Sequence, residues 1–424
     1  MTTATATVAS APAVASTAST QPRPALREPA FLRYLIGQSV SLLGNQVWYV
    51  ALSWSAVRLA SPGIAGLVLM VSAVPRLVLM LLGGVIADRF DIRRLMMGSD
   101  ILRTLITLAA AGIALAQPGL ALLAVVAFVF GTVDAVFLPS SGAMQPRLLE
   151  PAQYSGGAVL SNLTARLALS VGAPLGGLLV AFGGVPLALL VDAATFAVSV
   201  ATLATVHPRP VQPADDASAD AKPALSTQLR DGLGFLVRHR VLGPMTLAFL
   251  LLNIGFVGPM NIGIAELSEQ RGWGAAGIGL LLTGFGLGAA LGGLLTVKFR
   301  VRRNAGGWIA VFGAVQGCCL IGATLTPDAV ATAACIGLAG LVSGPCAVIG
   351  SVMQQRQTPD AFRGRVASVQ SLIAVGLVPI ASAATGFVIA AVGVRGDFVF
   401  GGLIEISALV TLLAPAFRTV NLED

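Results

Sequence analysis

The sequence is poor in charge. Only 11% of its 424 residues are Asp, Glu, Lys or Arg, against roughly 25% in an average soluble protein, while 56% are hydrophobic and the mean hydropathy is +0.86. A soluble chain of this length could not cover its surface with so few charges, so the composition excludes a soluble globular protein. It predicts an all-α polytopic membrane protein, with room for about twelve helices at ~20 apolar residues per span.

Lysine, histidine and cysteine are also scarce. The only histidines are His207 and His239. The four cysteines lie inside apolar segments without metal-ligand spacing, so we interpret the cysteines as small core residues. The cysteines are Cys318, Cys319, Cys335 and Cys346. No phosphate-binding loop, H-E-x-x-H or G-x-S-x-G sequence occurs, which argues against an intramembrane enzyme, and no cofactor or metal is expected.

The net charge of +7 comes from short basic clusters between apolar runs, a distribution typical of membrane topology rather than of nucleic-acid binding. A cytoplasmic N-terminus places twenty Lys and Arg residues inside and three outside, namely Arg58, Arg271 and Arg395. The positive-inside rule therefore predicts that both termini are cytoplasmic. We expect a multi-pass monomer of the bacterial inner membrane whose partners are the lipid bilayer, protons and a small amphiphilic molecule.

Twelve apolar segments can be delimited along the chain. They lie at 31–58, 63–87, 93–116, 119–140, 152–182, 184–206, 240–267, 273–297, 305–325, 327–353, 362–392 and 397–417. The predicted divisions are a disordered cytoplasmic tail at 1–28, a six-helix half at 29–206, a cytoplasmic central loop at 207–239, a second six-helix half at 240–418 and a tail at 419–424. Within the central loop, Leu229, Leu233 and Leu236 suit a short amphipathic helix on the membrane surface, and a plain linker is the alternative.

The chain repeats itself at an offset of 209 residues. Residues 83–94 align with 292–303, and residues 144–147 align with 353–356 at the same offset. Agreement of two separate loops on one offset indicates two pseudo-symmetric six-helix halves in parallel, related by an axis along the membrane normal.

Residues 83–94 resemble the signature between spans 2 and 3 of the major facilitator superfamily, with paired glycines, Asp-Arg and then a basic pair. The resemblance covers about 31 to 417. Residues 139–147, 191–196 and 357–366 are similar to the drug:proton antiporter branch, which contains macrolide-efflux-like proteins and the siderophore exporter of enteric bacteria. The span 5 glycine-proline pattern is shifted by one position at 172–177, and the span 4 arginine of other antiporter branches is absent from 130–134.

The resemblance implies the major facilitator fold and a secondary active transporter working by alternating access. Its expected activity is efflux of amphiphilic drugs or natural products by proton antiport, which would confer multidrug resistance. The alternatives are a dedicated exporter of one metabolite such as a siderophore, and an importer or uniporter.

The short loop after span 2 carries a candidate conformational latch. In the resembled family such residues hold the two halves together, because a carboxylate can face a helix N-terminus and arginines can pair across the seam. The latch residues are Gly84, Asp88, Arg89, Arg93 and Arg94. The alternative is a basic anchor that only obeys the positive-inside rule.

Five charged residues inside the spans lie at one depth, about 18 to 21 Å from the predicted inner surface of the membrane at a helix rise of 1.5 Å per residue. They are Arg76, Asp134, Arg166, Asp192 and Glu405. Charges inside a membrane are costly and are usually paired or functional. The candidate site is therefore at the level where transporters of this type bind substrate and protons.

We predict an interhelical network of Arg76, Asp134 and Arg166, with Asp134 as the proton carrier because span 4 lines the cavity in the resembled family. A static ion pair that fixes helix packing is the alternative. Asp192 and Glu405 lie on spans 6 and 12, which are peripheral in that fold, so a structural role is favoured for both. Asp100 and Arg103, three positions apart near the inner end of span 3, are expected to pair locally.

Polar residues on spans 1 and 7 are predicted to line the cavity, with interhelical hydrogen bonding as the alternative. They are Gln38, Ser41, Asn45, Trp48, Asn253, Met260 and Asn261. No acidic residue lies deep in spans 7, 8, 10 or 11, which favours a large and mostly apolar substrate over a sugar. Glycines spaced by four on spans 5 and 8 are expected at the sliding seam between the halves, namely Gly172, Gly176, Gly284, Gly288 and Gly292.

Overall fold

A computed structural model describes residues 25–117, 119–209, 225–298, 303–359 and 362–421. The predicted tails and central loop lie partly outside these ranges. Helices numbered in chain order are α1 Pro29–Leu59, α2 Pro62–Arg89, α3 Ile92–Ala116, α4 Leu120–Leu148, α5 Tyr154–Ala204, α6 Leu225–Arg238, α7 Leu242–Gly258, α8 Ile264–Gln270, α9 Gly274–Lys298, α10 Ala305–Ala323, α11 Ala329–Gln357, α12 Arg363–Ser407 and α13 Pro415–Arg418. A π-helix, Pro259–Gly263, joins α7 to α8.

Two of these helices are each a pair of membrane crossings joined by a single glycine. Gly184 in α5 and Gly393 in α12 have φ of 66° and 76°, a left-handed conformation that glycine adopts without a Cβ penalty. The reversal is visible in the packing of α5 on α1. At Gly172 and Gly176, early in α5, this helix runs parallel to α1, whereas the later part of α5 runs antiparallel to α1.

Twelve crossings result from this arrangement. Nine stretches of the described helices are long and apolar enough to cross a membrane, and two of them are the α5 and α12 pairs. The twelfth crossing is α1, which is more polar but has 31 residues, or about 46 Å of helix. The predicted all-α fold with two six-helix halves is confirmed. The first half is α1–α5 and the second is α7–α12.

The internal repeat is also present in three dimensions. The two reversal glycines, Gly184 and Gly393, lie 209 positions apart, the offset found in the sequence. Gly131 and Gly340 lie at the same offset and have equivalent roles. A Cβ on Gly131 of α4 would overlap a backbone carbonyl of α2, and one on Gly340 of α11 would overlap a backbone carbonyl of α9.

The apolar core shows where the two halves meet. Near the chain termini each half has its own cluster, one built around Phe31 and Met144 and the other around Leu242 and Phe417. At the opposite end, which we call the far end, one large cluster contains residues of both halves, including Phe130 and Phe398. The halves are therefore joined at the far end and have separate cores at the end that carries the termini, the terminal end.

The glycines predicted for the seam pack elsewhere. Gly284, Gly288 and Gly292 face α11 within the second half, and the pair on span 5, Gly172 and Gly176, faces α1 within the first half. That expectation was wrong, because spacing by four marks a face for close helix packing without saying which helix covers it.

Other glycines make the close approaches between the halves. A Cβ on Gly177 of α5 would lie 2.6 Å from the carbonyl oxygen of Ala275 on α9, and one on Gly66 of α2 would lie 2.7 Å from that of Ser382 on α12. These contacts lie toward the far end. Small residues there allow the backbones of the two halves to touch.

Candidate functional site in the first six-helix half

Asp134 on α4 lies between two arginines from neighbouring helices. The Nη2 group of Arg76 on α2 donates to Oδ2 of Asp134, and Nη2 of Arg103 on α3 donates to Oδ1. The side chains of Arg76 and Asp134 are 35% and 17% exposed, whereas Arg103 is fully buried. Asp134 therefore connects an accessible guanidinium with a buried one.

The network continues behind Arg103. Its Nη1 group donates to Oδ1 of Asp100 at 3.3 Å, and the hydroxyl of Ser199 on α5 donates to the other oxygen of Asp100 at 2.6 Å. The guanidinium also lies over the rings of Phe137 and Phe196, 4.5 and 5.3 Å from their centroids. Cation–π contacts of this kind stabilise a desolvated cation. Arg103 is thus held by three helices at once.

A third carboxylate lies next to this cluster. Asp192 on α5 has no exposed surface, and its Oδ1 accepts a 3.4 Å hydrogen bond from Thr195. Its Oδ2 has no hydrogen-bond partner in the part of the chain that the structure describes. The charge of Arg103 acts on Asp192 as well as on Asp100 and Asp134. Three carboxylates therefore share two described guanidinium groups, and an unpaired buried charge is costly.

One carboxylate of the cluster is accessible and two are not. Asp134 is partly exposed, whereas Asp100 and Asp192 have no exposed surface. A carboxylate that bridges two arginines loses its attraction for both when it binds a proton. Protonation of Asp134 would therefore release Arg76, the outermost of the described partners.

The predicted network is present in part. The pair of Arg76 and Asp134 forms, and the local pair of Asp100 and Arg103 forms as expected. The side chain of Arg166 lies outside the described residues, so its predicted membership stays a prediction. Sequence reasoning missed that Arg103 also binds Asp134. Its i, i+3 neighbour Asp100 supplied a sufficient local partner, although its depth on α3 was a usable signal.

The latch residues are only partly described. Gly84, Asp88 and Arg89 lie outside the part of the chain whose side chains are described. Arg93 donates through Nε to the carbonyl of Leu203 at 2.9 Å and through Nη2 to that of Ala204. Those are final carbonyls of α5, which lack partners within the helix. In this state Arg93 binds its own half, and Arg94 is exposed.

Span 7 carries a hydrogen bond from one half to the other. Asn261 accepts from the Tyr49 hydroxyl of α1 at 2.5 Å and donates to the Ser382 hydroxyl of α12 at 3.2 Å. It lies in the π-helix that begins at Pro259, where proline has no N–H for the regular helical hydrogen bond. Such π-helical turns often occur at functional sites. The bond from Tyr49 joins the halves at the seam.

The other predicted cavity residues differ in exposure. Trp48 and Met260 are each 5% exposed within the shared core, and Trp48 packs against Phe130 with ring centroids 5.5 Å apart. Ser41 is 1% exposed. The remaining polar residues are half-buried, namely Gln38, Asn45 and Asn253. The cavity-lining role of all seven stays a prediction.

In the described part of the second half, two carboxyl groups are buried. Glu405 is fully buried and accepts a 3.2 Å hydrogen bond from the Gln316 amide. Asp397, which sequence reasoning missed, is 3% exposed near the Gly393 turn. Among the described residues no cation pairs with either group. The arginines at this depth are therefore concentrated in the first half.

An all-helical bundle of two repeated six-helix halves, with a charged network at mid-depth, defines a membrane transporter of the major facilitator superfamily. The chain belongs to the family described as transmembrane secretion effectors, which matches residues 20–424. It is accordingly a multi-pass integral membrane protein that handles small molecules, and not an enzyme. The predicted superfamily is confirmed.

Two kinds of relative support the assignment. The chain is 26% identical over 412 residues to the "Multidrug efflux pump Tap" of Mycobacterium tuberculosis, covering 93% of this chain and 96% of that protein. It is 28% identical over 298 residues to the "Enterobactin exporter EntS" of Escherichia coli, covering 68% and 67%. Both names describe exporters, in agreement with the predicted resemblance.

Solved structures confirm the fold. The nucleoside transporter NupG superimposes with a TM-score of 0.67 at 14% identity, over 91% of this chain and 99% of that one. The xylose transporter XylE from E. coli, in an inward open conformation, gives a TM-score of 0.68 at 13% identity, over 93% and 97%. Identities this low concern the shared architecture alone.

Proposed function

We propose that this protein exports amphiphilic drugs or natural products by alternating access, driven by proton entry. The observation that carries the proposal is the position of Asp134 between Arg76 and Arg103, at mid-depth and partly exposed. The names of the relatives, a multidrug efflux pump and an enterobactin exporter, support the direction of transport.

The proposed topology has both termini in the cytoplasm, in agreement with the excess of basic residues on that side. The far end is then the outer face. Since the halves share a core at the far end and have separate cores at the terminal end, this topology would make the described state inward-facing. The polar stripe of span 1 and the half-buried residues of span 7 would meet a substrate entering from the cytoplasm.

The proposed coupling follows from charge balance. When Asp134 and Asp100 are both ionised, their two negative charges balance Arg76 and Arg103, so this group of four carries no net charge while it waits for substrate. A proton on Asp134 frees Arg76 toward the cavity, where a mobile positive charge disfavours a bound cationic substrate. Arg103, which keeps Asp100, stays in place. Proton binding and substrate binding thereby oppose each other, as antiport requires.

The test uses purified protein in proteoliposomes with an imposed pH gradient. We would follow a panel of lipophilic cations, macrolides and siderophores with wild type, Asp134→Asn and, as a matched control, Glu405→Gln. Glu405 is a buried carboxyl at comparable depth but in the other half. We expect gradient-driven movement of several compounds by wild type and the control, and a loss of at least tenfold with Asp134→Asn, which cannot release a proton.

The same experiment separates the rival functions. Gradient-driven movement of a single compound would indicate a dedicated exporter, such as one for a siderophore. Movement that ignores both the gradient and Asp134→Asn would indicate a uniporter, and the charged network would then only fix helix packing. Full proton coupling in Asp134→Asn would refute the role of Asp134.

A further inference from the structure

Helix α6 lies against the second half at the terminal end. Leu236 is 1% exposed and packs in the cluster that contains Leu242 and Phe417. Leu233 and Val237, one turn apart on the same helix, are 51% and 71% exposed. An exposed apolar pair beside a membrane-spanning bundle suits contact with the boundary between lipid headgroups and acyl chains.

A cavity of about 760 Å³ lies next to this helix. It is lined by residues of α6 and its C-terminal end, and by one residue that precedes α12, namely Arg230, Asp231, Gly234, Phe235, Arg238, His239 and Phe362. Phe235 and Phe362 stack with their ring centroids 4.5 Å apart, which gives the cavity a rigid apolar wall.

The polar lining favours an anion. Arg230 and Arg238 line the cavity, and neither forms a salt bridge to a carboxylate among the described residues. Asp231, the acidic residue of the lining, has an interaction of its own. Two guanidinium groups are the side chains best matched to phosphate oxygens, because each can donate two hydrogen bonds at once.

His239 adds a donor to the same lining. Its Nδ1 accepts from the backbone N–H groups of Val241 and Leu242, both at 3.2 Å, so the ring caps the start of α7. Burial lowers the pKa of His239 below its ordinary value. A neutral ring that accepts at Nδ1 carries its proton on Nε2, where it can donate to a bound anion.

We propose that this cavity binds the phosphate headgroup of an anionic phospholipid, with the acyl chains lying along Leu233 and Val237. The observation that favours a lipid over free phosphate is the exposed apolar pair on the same helix as the two arginines. Free phosphate would use the arginines and leave that pair in water. The site is independent of Asp134, which lies in the other half, so it does not rest on the proposed transport mechanism.

The test measures lipid retention by native mass spectrometry of the detergent-solubilised full chain. Phosphatidylglycerol is titrated against wild type, the double variant Arg230→Gln/Arg238→Gln and the control Arg240→Gln. Arg240 is exposed close by but does not line the cavity. Each arginine near an anionic headgroup contributes about 1 kcal/mol, or about fivefold in affinity. We therefore expect the double variant to bind ~30-fold more weakly and Arg240→Gln to bind within about threefold of wild type.

Three further arms identify the ligand chemistry. Phosphatidylcholine should be retained far less than phosphatidylglycerol, and raising sodium chloride from about 0.05 to 0.5 M should weaken phosphatidylglycerol binding to wild type, because salt screens exposed arginines. The salt arm needs no variant and holds even if the double variant folds poorly. Millimolar inorganic phosphate should not displace the lipid, and displacement would assign the cavity to free phosphate instead.

Equal retention of both lipids, or equal losses in the double variant and Arg240→Gln, would overturn the proposal.

Discussion

At the scale of single residues, the contact that holds Asp134 in place joins two helices, and sequence neighbours alone do not predict it. Arg103 pairs with Asp100 on its own helix, and the same guanidinium also reaches Asp134 on α4. A fully buried arginine needs a carboxylate partner, because an unpaired buried charge is costly, and Arg103 has Asp100 on its own helix while it also holds Asp134. Arg103 is therefore a positioning residue for Asp134.

Replacing Arg103 should be far more damaging than replacing an exposed arginine. We expect Arg103→Gln to lower the free energy of unfolding by about 3–5 kcal/mol, because Asp100 and Asp134 would lose their shared partner. Arg58→Gln is the control, since Arg58 is 60% exposed and its pair with Glu269 is long, at 3.7 Å. Thermal unfolding in detergent would measure both.

If Arg103 had a structural role alone, the Arg103→Gln protein that still folds would keep its proton coupling unchanged. Since Arg103 sets the charge around Asp134, we expect the pH dependence of transport to shift in Arg103→Gln, and Arg103→Lys to restore part of it. An unchanged pH profile in active Arg103→Gln protein would show that Arg103 only packs the helices.

Residue-scale prediction from the sequence succeeded where depth was the signal. Arg76 and Asp134 lie at one predicted level and form a pair, since helix rise alone places them together. The local pair of Asp100 and Arg103 is confirmed, but the second contact of Arg103, to Asp134, and the burial of Asp397 were missed. Both omissions arose because the sequence does not show which helix face meets which neighbour.

At the scale of elements, close helix packing depends on particular glycines rather than on a general glycine content. Gly131 and Gly340 take equivalent places in the two halves, each against a backbone carbonyl of a neighbouring helix. A backbone carbonyl cannot rotate away as a flexible side chain can. The four helices involved are therefore fixed at backbone contact distance.

Gly131→Ala should be destabilising although alanine is the better helix former. The added Cβ would overlap the carbonyl oxygen of Ser72, and overpacking of this kind costs about 1–3 kcal/mol. Gly112→Ala on α3 is the matched control, because nothing lies within 4 Å of its Cβ position. A lower melting temperature for Gly131→Ala alone is the expected result, and equal melting temperatures would mean that α2 and α4 can move apart freely.

The elements themselves were predictable because membrane crossing needs long apolar segments and the segments repeat at 209 residues. The two glycine reversals coincide with the predicted boundaries at 182–184 and 392–397, where no long polar loop separates the segments. The assignment of the glycine faces was wrong. On α9, Gly279 and Gly286 face the other half, whereas Gly284 and Gly288 face α11. The helix thus has two faces with small residues, and spacing alone does not tell which face meets the other half.

At the scale of the whole molecule, the two halves form one core at the far end and two cores at the terminal end. The proposed alternating access requires the shared core to open, and the hydrogen bond from Tyr49 to Asn261 would then break. The free-energy barrier and the equilibrium between the closed and open far end therefore depend on how closely the two halves pack there.

Gly66→Ala should shift that balance toward a state with the far end open. Its Cβ would lie 2.7 Å from the Ser382 carbonyl oxygen of the other half, so the clash exists only while the far end is closed. An overpacking cost of about 1–3 kcal/mol corresponds to a shift of roughly fivefold to a hundredfold in the equilibrium. Gly63→Ala is the control, because its nearest neighbour is a Phe387 ring atom at 3.7 Å.

Spin labels at Leu59 and Gln270, on opposite halves at the far end, would report the change in a background without the four native cysteines. We expect a longer distance population in Gly66→Ala that is minor in wild type and in Gly63→Ala. Identical distance distributions in all three proteins would show that the seam tolerates the methyl group without opening.

The glycine turns at Gly184 and Gly393 also decide what the far face offers to the surroundings. Two pairs of crossings are joined there by single residues, and the other connections lie at 60–61, 117–119, 271–273 and 324–328. Nothing longer than five residues stands between one crossing and the next. A protease arriving from that side meets only short connections, so we expect cleavage in native membranes to begin on the side of the central loop.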